Sequence, residues 1–435
     1  LFAFVASIGS ATQDVAIDAW RIDVADERTP VELLSAIYQL GYRTASIVGG
    51  AFALFLAARM SWPTVYLLMA CLIGVMLLIA LAAPDTERSP DVAADLLDQP
   101  GEIAPRARAI ALIIVGSSWV WAIVRIVVFM TSMLAEVPPG GKRPSAGDFL
   151  KYNGPLIVLA TVIVPLIVAA VLNWLKLRGH QVQAVVDTRV SPARTIANHL
   201  YRALIAPLAD LTERMRWGVL VVIWLILTYA LCYNVWASFA YPFYLDYMHY
   251  TKDEVAFASK IFGIVMSIIG VSVGGYLFLR IGRFPTVLIG AALPIFGNFL
   301  YADLADGAPY IDIVLHTLRL DVLAQALGGD LRIARLLLTI AYENVSTGIA
   351  GAAFVAYVSG IVSKKYSAVQ YALLSSLTFL IGSLGKGFAG ELIDKIGYAA
   401  VFRDVAVLGL LAIFFALLEW WRSSRSSAAV ASGEG

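Results

Sequence analysis

Residues 1–21 read LFAFVASIGSATQDVAIDAWR, an apolar run of membrane-spanning length that contains two carboxylates. Asp14 and Asp18 are four residues apart, so a helix places them on one face with Ser10 and Arg21. A carboxylate at membrane depth costs at least about 2.5–3.5 kcal/mol, so it normally faces a cavity or a partner. Two interpretations stay open. The acids line a water-filled path, or they are solvated at the cytoplasmic helix end and bind Arg21.

Apolar runs of similar length recur along the whole chain. The sequence is 60% hydrophobic and 14% charged, with a mean hydropathy of +0.79, which is typical of a membrane protein. No stretch alternates as a barrel strand would. We therefore predict an all-α membrane protein with about eleven transmembrane helices. The predicted spans are 1–20, 33–58, 62–83, 109–135, 153–175, 217–245, 257–280, 284–304, 333–362, 368–392 and 397–421.

Charge and the rarer residue types exclude several function classes. A net charge of +1 argues against nucleic-acid binding. Cys71 and Cys232 both lie within predicted spans, and the histidines are scattered over loops without ligand spacing. We therefore expect no metal site, no cofactor and no catalytic group. A membrane enzyme acting on lipid-linked sugars would need clustered acids or metal ligands at a helix end, and the loops lack such a cluster.

The spacing of the spans divides the chain into blocks. Residues 1–83 hold three helices, and residues 84–216 form a linker with two extra spans and a cytoplasmic amphipathic helix. Residues 217–421 hold six closely connected helices, and residues 422–435 form a polar tail that we expect to be disordered. This organisation favours a six-plus-six transporter architecture. Because the chain opens inside an apolar run, we expect further helices to precede it.

The basic residues are concentrated in the loops of one side. That asymmetry is expected of the cytoplasmic face, so the C-terminus is predicted to be cytoplasmic. The linker places Leu200, Leu204 and Leu208 on one stripe of a helix over residues 196–210, which favours a position along the membrane interface.

A third acid lies inside the span 333–362. Glu343 shares its helical face with Thr339, Ser346 and Thr347. One interpretation is a structural role, in which a protonated Glu343 forms a hydrogen bond that holds a neighbouring helix in place. The other is a buried carboxyl that exchanges protons in a carrier.

Basic and amide side chains also lie within the predicted spans. Arg43 could pair with an acid of the first helix or bind a substrate carboxylate. Lys260 either snorkels to the interface or reaches the interior. Gln370 either caps its helix or reaches the cavity. Arg125 lies in the middle of its span, so it must face another helix.

Several short segments match, in order, the pattern of one transporter family. Residues 11–20 read ATQDVAIDAW and resemble the family's Ser-Gln-Asp-x-x-x-Asp-Ala-Trp, and residues 40–43 read LGYR, as they do in the family. Further segments are similar to the family at Glu343-Asn344, 353–356, 367–375 and 206–208. Together they resemble AmpG-type muropeptide permeases of the major facilitator superfamily. The two extra spans within residues 109–175, and Asn234 where an acid is usual, depart from that pattern.

The resemblance implies a proton-driven carrier of the bacterial inner membrane that imports anhydro-muropeptides for cell-wall recycling. It implies that helix 1–20 is the fourth of twelve, and we expect alternating access by a monomer whose partners are the substrate, protons and membrane lipid. The hypothesis assigns proton coupling to Asp14, Asp18 and Glu343. It assigns substrate binding to Gln13, Tyr42, Arg43, Lys260, Asn344 and Gln370. The alternatives are a carrier of another bulky polar solute, such as an acyl-coenzyme A or a drug-like compound, and a non-transporting receptor on the same fold.

Overall fold

The computed structural model describes residues 2–84, 105–135, 144–178, 192–326 and 328–431. This part of the chain contains fifteen helices, one short 3-10 helix (Lys364–Tyr366) and no strand. The N-terminal unit contains α1 (Phe2–Asp23), α2 (Val31–Ala57) and α3 (Trp62–Leu81). The linker contains α4 (Pro105–Leu134), α5 (Gly147–Leu177), α6 (Pro192–Leu204) and α7 (Ala206–Met215). The C-terminal unit contains α8 (Gly218–Tyr247), α9 (Lys252–Ile281), α10 (Arg283–Ala305), α11 (Pro309–Thr317), α12 (Leu320–Ala326), α13 (Leu331–Ile361), α14 (Ser367–Ile396) and α15 (Tyr398–Ala431).

The helices confirm an all-α membrane protein. In the described part of the chain, nine of them are long and apolar enough to cross a membrane. These nine match nine of the eleven predicted spans. The other two predicted spans also form helices, α1 with 22 residues and α14 with 30 residues. Both carry the polar side chains on which the functional hypothesis depends.

The C-terminal unit forms the largest core. Helix α13 packs against α9 and α10, and α15 packs against α10 and α8. Small residues allow the closest approach between α9 and α13, where a side-chain carbon on Gly270 would collide with the Val345 backbone. Tyr244, Tyr301 and Phe402 are fully buried near the end that carries α11 and α12. We call this end of the molecule the insert end.

The opposite end carries the linker helices, and we call it the connector end. The predicted single helix over residues 196–210 is two helices, because the chain breaks at Ile205 and α7 restarts with Pro207 in its first turn. Leu208 and Leu211 of α7 are buried against the C-terminal unit, whereas Leu200 is exposed. The predicted apolar stripe therefore packs against protein through α7.

The two extra spans of the linker, α4 and α5, lie beside the C-terminal unit. Helix α5 packs against α14 and α7, and α4 packs against α5. Arg125 of α4 donates to Asn153 Oδ1 of α5 at 2.6 and 3.1 Å, so it faces another helix as predicted. The rest of the linker, residues 85–104, 136–143 and 179–191, lies outside the described residues.

Helix α15 continues through Ala431, where the sequence predicts a disordered tail. A bidentate pair between Arg422 and Glu419 at 2.7 Å, one helical turn apart, stabilises the start of this extension. That part of the prediction is therefore wrong for residues 422–431. Residues 432–435 lie outside the described part of the chain.

Candidate functional site

The candidate site lies where the N-terminal and C-terminal units meet. Helix α2 packs against α9 and α13, and α1 packs against α14. A side-chain carbon built on Gly275 of α9 would lie 2.8 Å from Ala36 Cβ of α2, so the two backbones are closely apposed there. Residues on this junction therefore contact both units.

Asp18 lies in a polar cluster between α1 and α2. Arg21 Nη2 binds Asp18 Oδ1 at 3.0 Å, and Arg21 Nη1 donates to Ser35 Oγ at 2.6 Å. The guanidinium also lies over the rings of Tyr38 and Tyr371, at 4.7 and 5.3 Å from their centroids. Because Arg21 is only 2% exposed, this pair holds a buried charge. The structure thus shows Asp18 bound to Arg21, in a pair that is buried and not solvated at a helix end.

Asp14 lies one turn before Asp18 on the same helix and has a different environment. Its side chain is exposed, as is that of Gln13. Asp14 interacts through its charge with Asp18 and with Tyr38 of α2. Asp14 is therefore less buried than Asp18.

Glu343 occupies the interior of the C-terminal unit. The residue is 8% exposed, and its Oε2 accepts a hydrogen bond from Asn344 Nδ2 at 2.7 Å. Asn344 Nδ2 also donates to Ile340 O at 2.9 Å, which fixes its orientation. Glu343 lines a cavity of about 20 Å³ together with residues of α8, α10 and α13. These are Cys232, Tyr233, Pro294, Gly297, Asn298, Tyr301, Ser346 and Thr347.

Arg43 links this interior to the N-terminal unit. It lies on α2 and is within electrostatic range of Glu343 and of Tyr233 on α8. Its Nε is buried and has no hydrogen-bond partner among the described residues. Tyr42, its neighbour, is 60% exposed and lies near both Tyr38 and Tyr233. The structure therefore brings Arg43 and Tyr42 of one unit towards Glu343 of the other.

Lys260 lies in a π-helical segment of α9, Phe257–Phe262, that contacts a second π-helical segment, Ile47–Phe52 of α2. Such segments are frequent at functional sites. Its side chain is exposed, with Nζ 5.6 Å from the centroid of the Tyr241 ring. Lys260 thus belongs to the junction of the units, towards the insert end.

Gln370 is placed differently from the other candidates. It is completely buried, and its Nε2 donates to Pro207 O at 2.6 Å and to Asp210 Oδ2 at 2.8 Å. Its Oε1 accepts from Ser363 N at 2.7 Å and from Arg214 Nη2 at 3.2 Å. All four contacts tie the start of α14 to the connector end. The structure does not bring Gln370 together with Glu343 or Arg43.

Three polar side chains that line the cavity are absent from the sequence prediction, namely Tyr233, Asn298 and Tyr301. Each is a polar residue inside an apolar span, which is the signal that was available. A metal site receives no support, since the described residues contain no group of three or more His, Cys, Asp or Glu that could hold an ion.

No protein-family profile matches the chain. The chain is 22% identical over 407 residues to the AmpG 4 transporter of Rickettsia felis, and this match covers 93% of the chain and 68% of that protein. It is 30% identical over 175 residues to the AmpG 4 transporter of Rickettsia conorii, covering 40% of this chain and 37% of the relative. It is 25% identical over 274 residues to the anhydromuropeptide permease of Escherichia coli K12, covering 61% of this chain and 47% of the permease.

These relatives are named as transporters or permeases and not as enzymes, and the similarity to AmpG-type proteins confirms the family resemblance predicted from the motifs. The matches span only part of each relative's length. The crystal structure of a bacterial homologue of the iron transporter ferroportin, in an outward-facing state, aligns with 90% of this chain and 98% of its own. Its TM-score of 0.34 and identity of 17% are too low to bear on the function.

Proposed function

We propose that this protein is a secondary transporter of the bacterial inner membrane that imports anhydro-muropeptides together with protons. The observation that carries the proposal is the approach of Arg43 on α2 to Glu343 on α13, across the junction of the two units. Groups that face each other across the junction change their separation whenever the units rock against each other, as alternating access requires. The similarity to AmpG-type transporters supports the same function.

The polar groups at the junction fit the chemistry of a muropeptide, which offers sugar hydroxyls, amides and carboxylates. The unpartnered Nε of Arg43 is a donor for a peptide carboxylate, and the Lys260 ammonium is a second positive charge on the same junction. Exposed Tyr42 and Gln13, with Asn344 beside Glu343, offer hydrogen bonds to sugar and amide groups.

We assign proton coupling to the carboxyls of Asp14, Asp18 and Glu343. Protonation removes the cost of burying a bare carboxylate when the site closes, so the loaded and empty carriers differ in charge. Glu343 carries the largest share of this role, because it is a buried acid of the C-terminal unit that lines a cavity, whereas buried Glu419 is bound to Arg422. Asp18 acts through its pair with Arg21, and Asp14 contributes an exposed side chain on the same helix.

The units close against each other at the connector end. Arg283 of α10 binds Glu32 of α2, and Lys364 Nζ donates to Ala25 O at 2.7 Å. We place this end in the cytoplasm, together with the C-terminus, because its loops carry most of the basic residues.

Uptake into membrane vesicles tests the proposal. Vesicles that contain the full-length protein, with an imposed inward pH gradient, are expected to accumulate labelled anhydro-muropeptide. Glu343→Gln is expected to abolish gradient-driven accumulation, whereas Asp253→Asn, which changes an exposed acid in the first turn of α9, serves as the matched control. Uptake that ignores the gradient would exclude proton coupling.

Competition in the same assay tests the substrate class. Unlabelled anhydro-muropeptide is expected to compete, and acyl-coenzyme A or drug-like compounds are expected not to. Competition by those compounds alone would identify a carrier of another bulky polar solute.

A further inference from the structure

The cavity beside Glu343 contains two buried polar atoms that the protein leaves without partners. Asn298 is 3% exposed and Ser346 is 2% exposed. Asn298 Oδ1 and Ser346 Oγ have no hydrogen-bond partner in the part of the chain that the structure describes. Both residues line the cavity of about 20 Å³ with Glu343. A buried polar atom without a partner costs about 1–3 kcal/mol, so two of them at one cavity indicate a ligand there.

The orientation of Asn298 defines what that ligand must offer. Asn298 Nδ2 donates to Pro294 O at 2.9 Å, one turn earlier on α10, so the amide is fixed with its Oδ1 as a free acceptor. The hydroxyl of Ser346 either donates or accepts. Glu343 Oε2 already accepts a hydrogen bond from Asn344. The carboxyl can form further hydrogen bonds, and its protonation decides whether it accepts or donates them.

Other groups around the cavity are engaged elsewhere or approach from its rim. The Tyr301 hydroxyl bonds the Tyr244 hydroxyl at 2.6 Å. Thr347 Oγ1 donates to Asn344 O at 3.3 Å. Tyr233 faces the junction, at 43% exposure, and Arg43 approaches Glu343 from α2.

We propose that this cavity binds one water molecule that hydrogen-bonds Asn298 Oδ1, Ser346 Oγ and the Glu343 carboxyl. The volume fits one water molecule, which needs about 10–15 Å³, and a buried water typically makes about three hydrogen bonds. With Glu343 ionised, the water donates to Glu343 and Asn298 and accepts from Ser346. With Glu343 protonated, the water accepts from Glu343 and donates to Asn298 and to Ser346 Oγ.

The same three contacts are therefore complete in both protonation states of Glu343. A site of this kind removes the need to break a hydrogen bond when the proton is gained or lost, which suits a carboxyl that cycles between the two forms. This consequence rests on the proton-coupling role proposed for Glu343. The binding of the water does not depend on it.

A structure of the full-length protein at a resolution that shows ordered water tests the proposal directly. We expect one solvent peak within hydrogen-bonding distance of Asn298 Oδ1 and Ser346 Oγ. The peak is expected to be lost in Asn298→Leu, which removes the acceptor, and in Ser346→Val, which fills the space. It is expected to persist in Ser359→Ala, because Ser359 on the same helix bonds its own backbone at Val355 O.

Infrared difference spectra between acid and neutral pH give a second readout, with Glu343→Gln subtracted as the reference. We expect a water O–H band that shifts in H₂¹⁸O and disappears in Asn298→Leu. A cavity without a solvent peak in the wild-type protein, or a peak that depends on sodium in the buffer, would overturn the proposal. Neither measurement involves transport, so a failure of proton-coupled uptake would leave this result standing and would count against the proposed function alone.

Discussion

Arg283 and Glu32, 251 residues apart in the chain, form an ion pair that joins the two units at the connector end. Arg283 Nη2 lies 2.6 Å from Glu32 Oε1, and Arg283 Nε lies 3.2 Å from the same oxygen. Arg283 opens α10 immediately after Gly282, whose φ of +81° allows the tight reversal from α9. Both side chains are partly buried, which shields the pair from solvent.

Breaking this pair is expected to open the connector end. Glu32→Gln should lengthen the distance between spin labels at the exposed positions Glu27 and Arg280, one on each unit. A double-mutant cycle with Arg283→Gln should give a coupling energy of about 1 kcal/mol in thermal unfolding. Asp306→Asn breaks a similar pair with Arg403 within the C-terminal unit and should leave the label distance unchanged. An unaltered distance in Glu32→Gln would contradict a gating role.

The close contact of α2 with α9 depends on Gly275. A side-chain carbon at this position would lie 2.8 Å from Ala36 Cβ, so Gly275→Ala forces the units apart and should cost about 1–3 kcal/mol of unfolding free energy. Ala36→Gly in the same protein should recover most of the loss. Gly116→Ala on α4 is the control, because no described atom lies within 4 Å of its added carbon. Thermal unfolding in detergent measures all three, and equal loss in both alanine variants would argue against contact with α2.

Asp14 and Asp18 should differ when each is changed to Asn. Asp18→Asn leaves the buried guanidinium of Arg21 without its charge partner and should lower the unfolding free energy by about 3 kcal/mol. Asp14→Asn changes an exposed side chain and should alter stability by less than about 0.5 kcal/mol, while reducing gradient-driven uptake. Stability and vesicle uptake are measured on both variants. Wild-type uptake by a stable Asp14→Asn protein would remove Asp14 from the coupling mechanism.

Gln370 should prove structural in this conformation. Gln370→Leu removes four hydrogen bonds between α14 and the connector end and should lower the unfolding free energy by about 1–3 kcal/mol, with KM for uptake unchanged. Gln325→Leu changes an exposed amide on α12 and serves as the control. If KM rises while stability is kept, Gln370 contacts the substrate in another state of the transport cycle.

The parts of the molecule that sequence predicts best are those set by neighbours in the chain. An apolar run of about 20 residues is local, so the spans could be placed before any contact was known. The pairing of Asp18 with Arg21 follows from their spacing of three on one helix. The same holds for the face that Glu343 shares with Ser346, which lines the same cavity.

Contacts between distant segments could not be predicted from the local sequence. Gln370 binds Asp210 across 160 residues, and Asn298 reaches the cavity of Glu343 only because α10 packs against α13. Nothing in the local pattern around Gln370 separates a side chain tied to another helix from one facing a substrate. The pattern identifies a costly buried polar group, and only the packing supplies its partner.

Asp312 and Arg335 should make stability depend on pH at the insert end. Arg335 Nε donates to Asp312 Oδ1 at 2.7 Å and Nη2 to Oδ2 at 2.5 Å, and these hydrogen bonds hold the pKa of Asp312 below its ordinary value. A lowered pKa in the folded state adds stability above the unfolded value of about 3.9, and that stability is lost as the pH falls through the folded pKa. Asp312→Asn should therefore lower the unfolding free energy by about 1 kcal/mol at pH 7. The difference from the wild-type protein should shrink below about pH 4 and vanish once Asp312 is protonated. Thermal unfolding of both proteins between pH 7 and pH 3 measures this difference in stability. Asp253→Asn, which changes an exposed acid, is the control. A difference that stays constant with pH would show that Arg335 does not stabilise the ionised carboxylate.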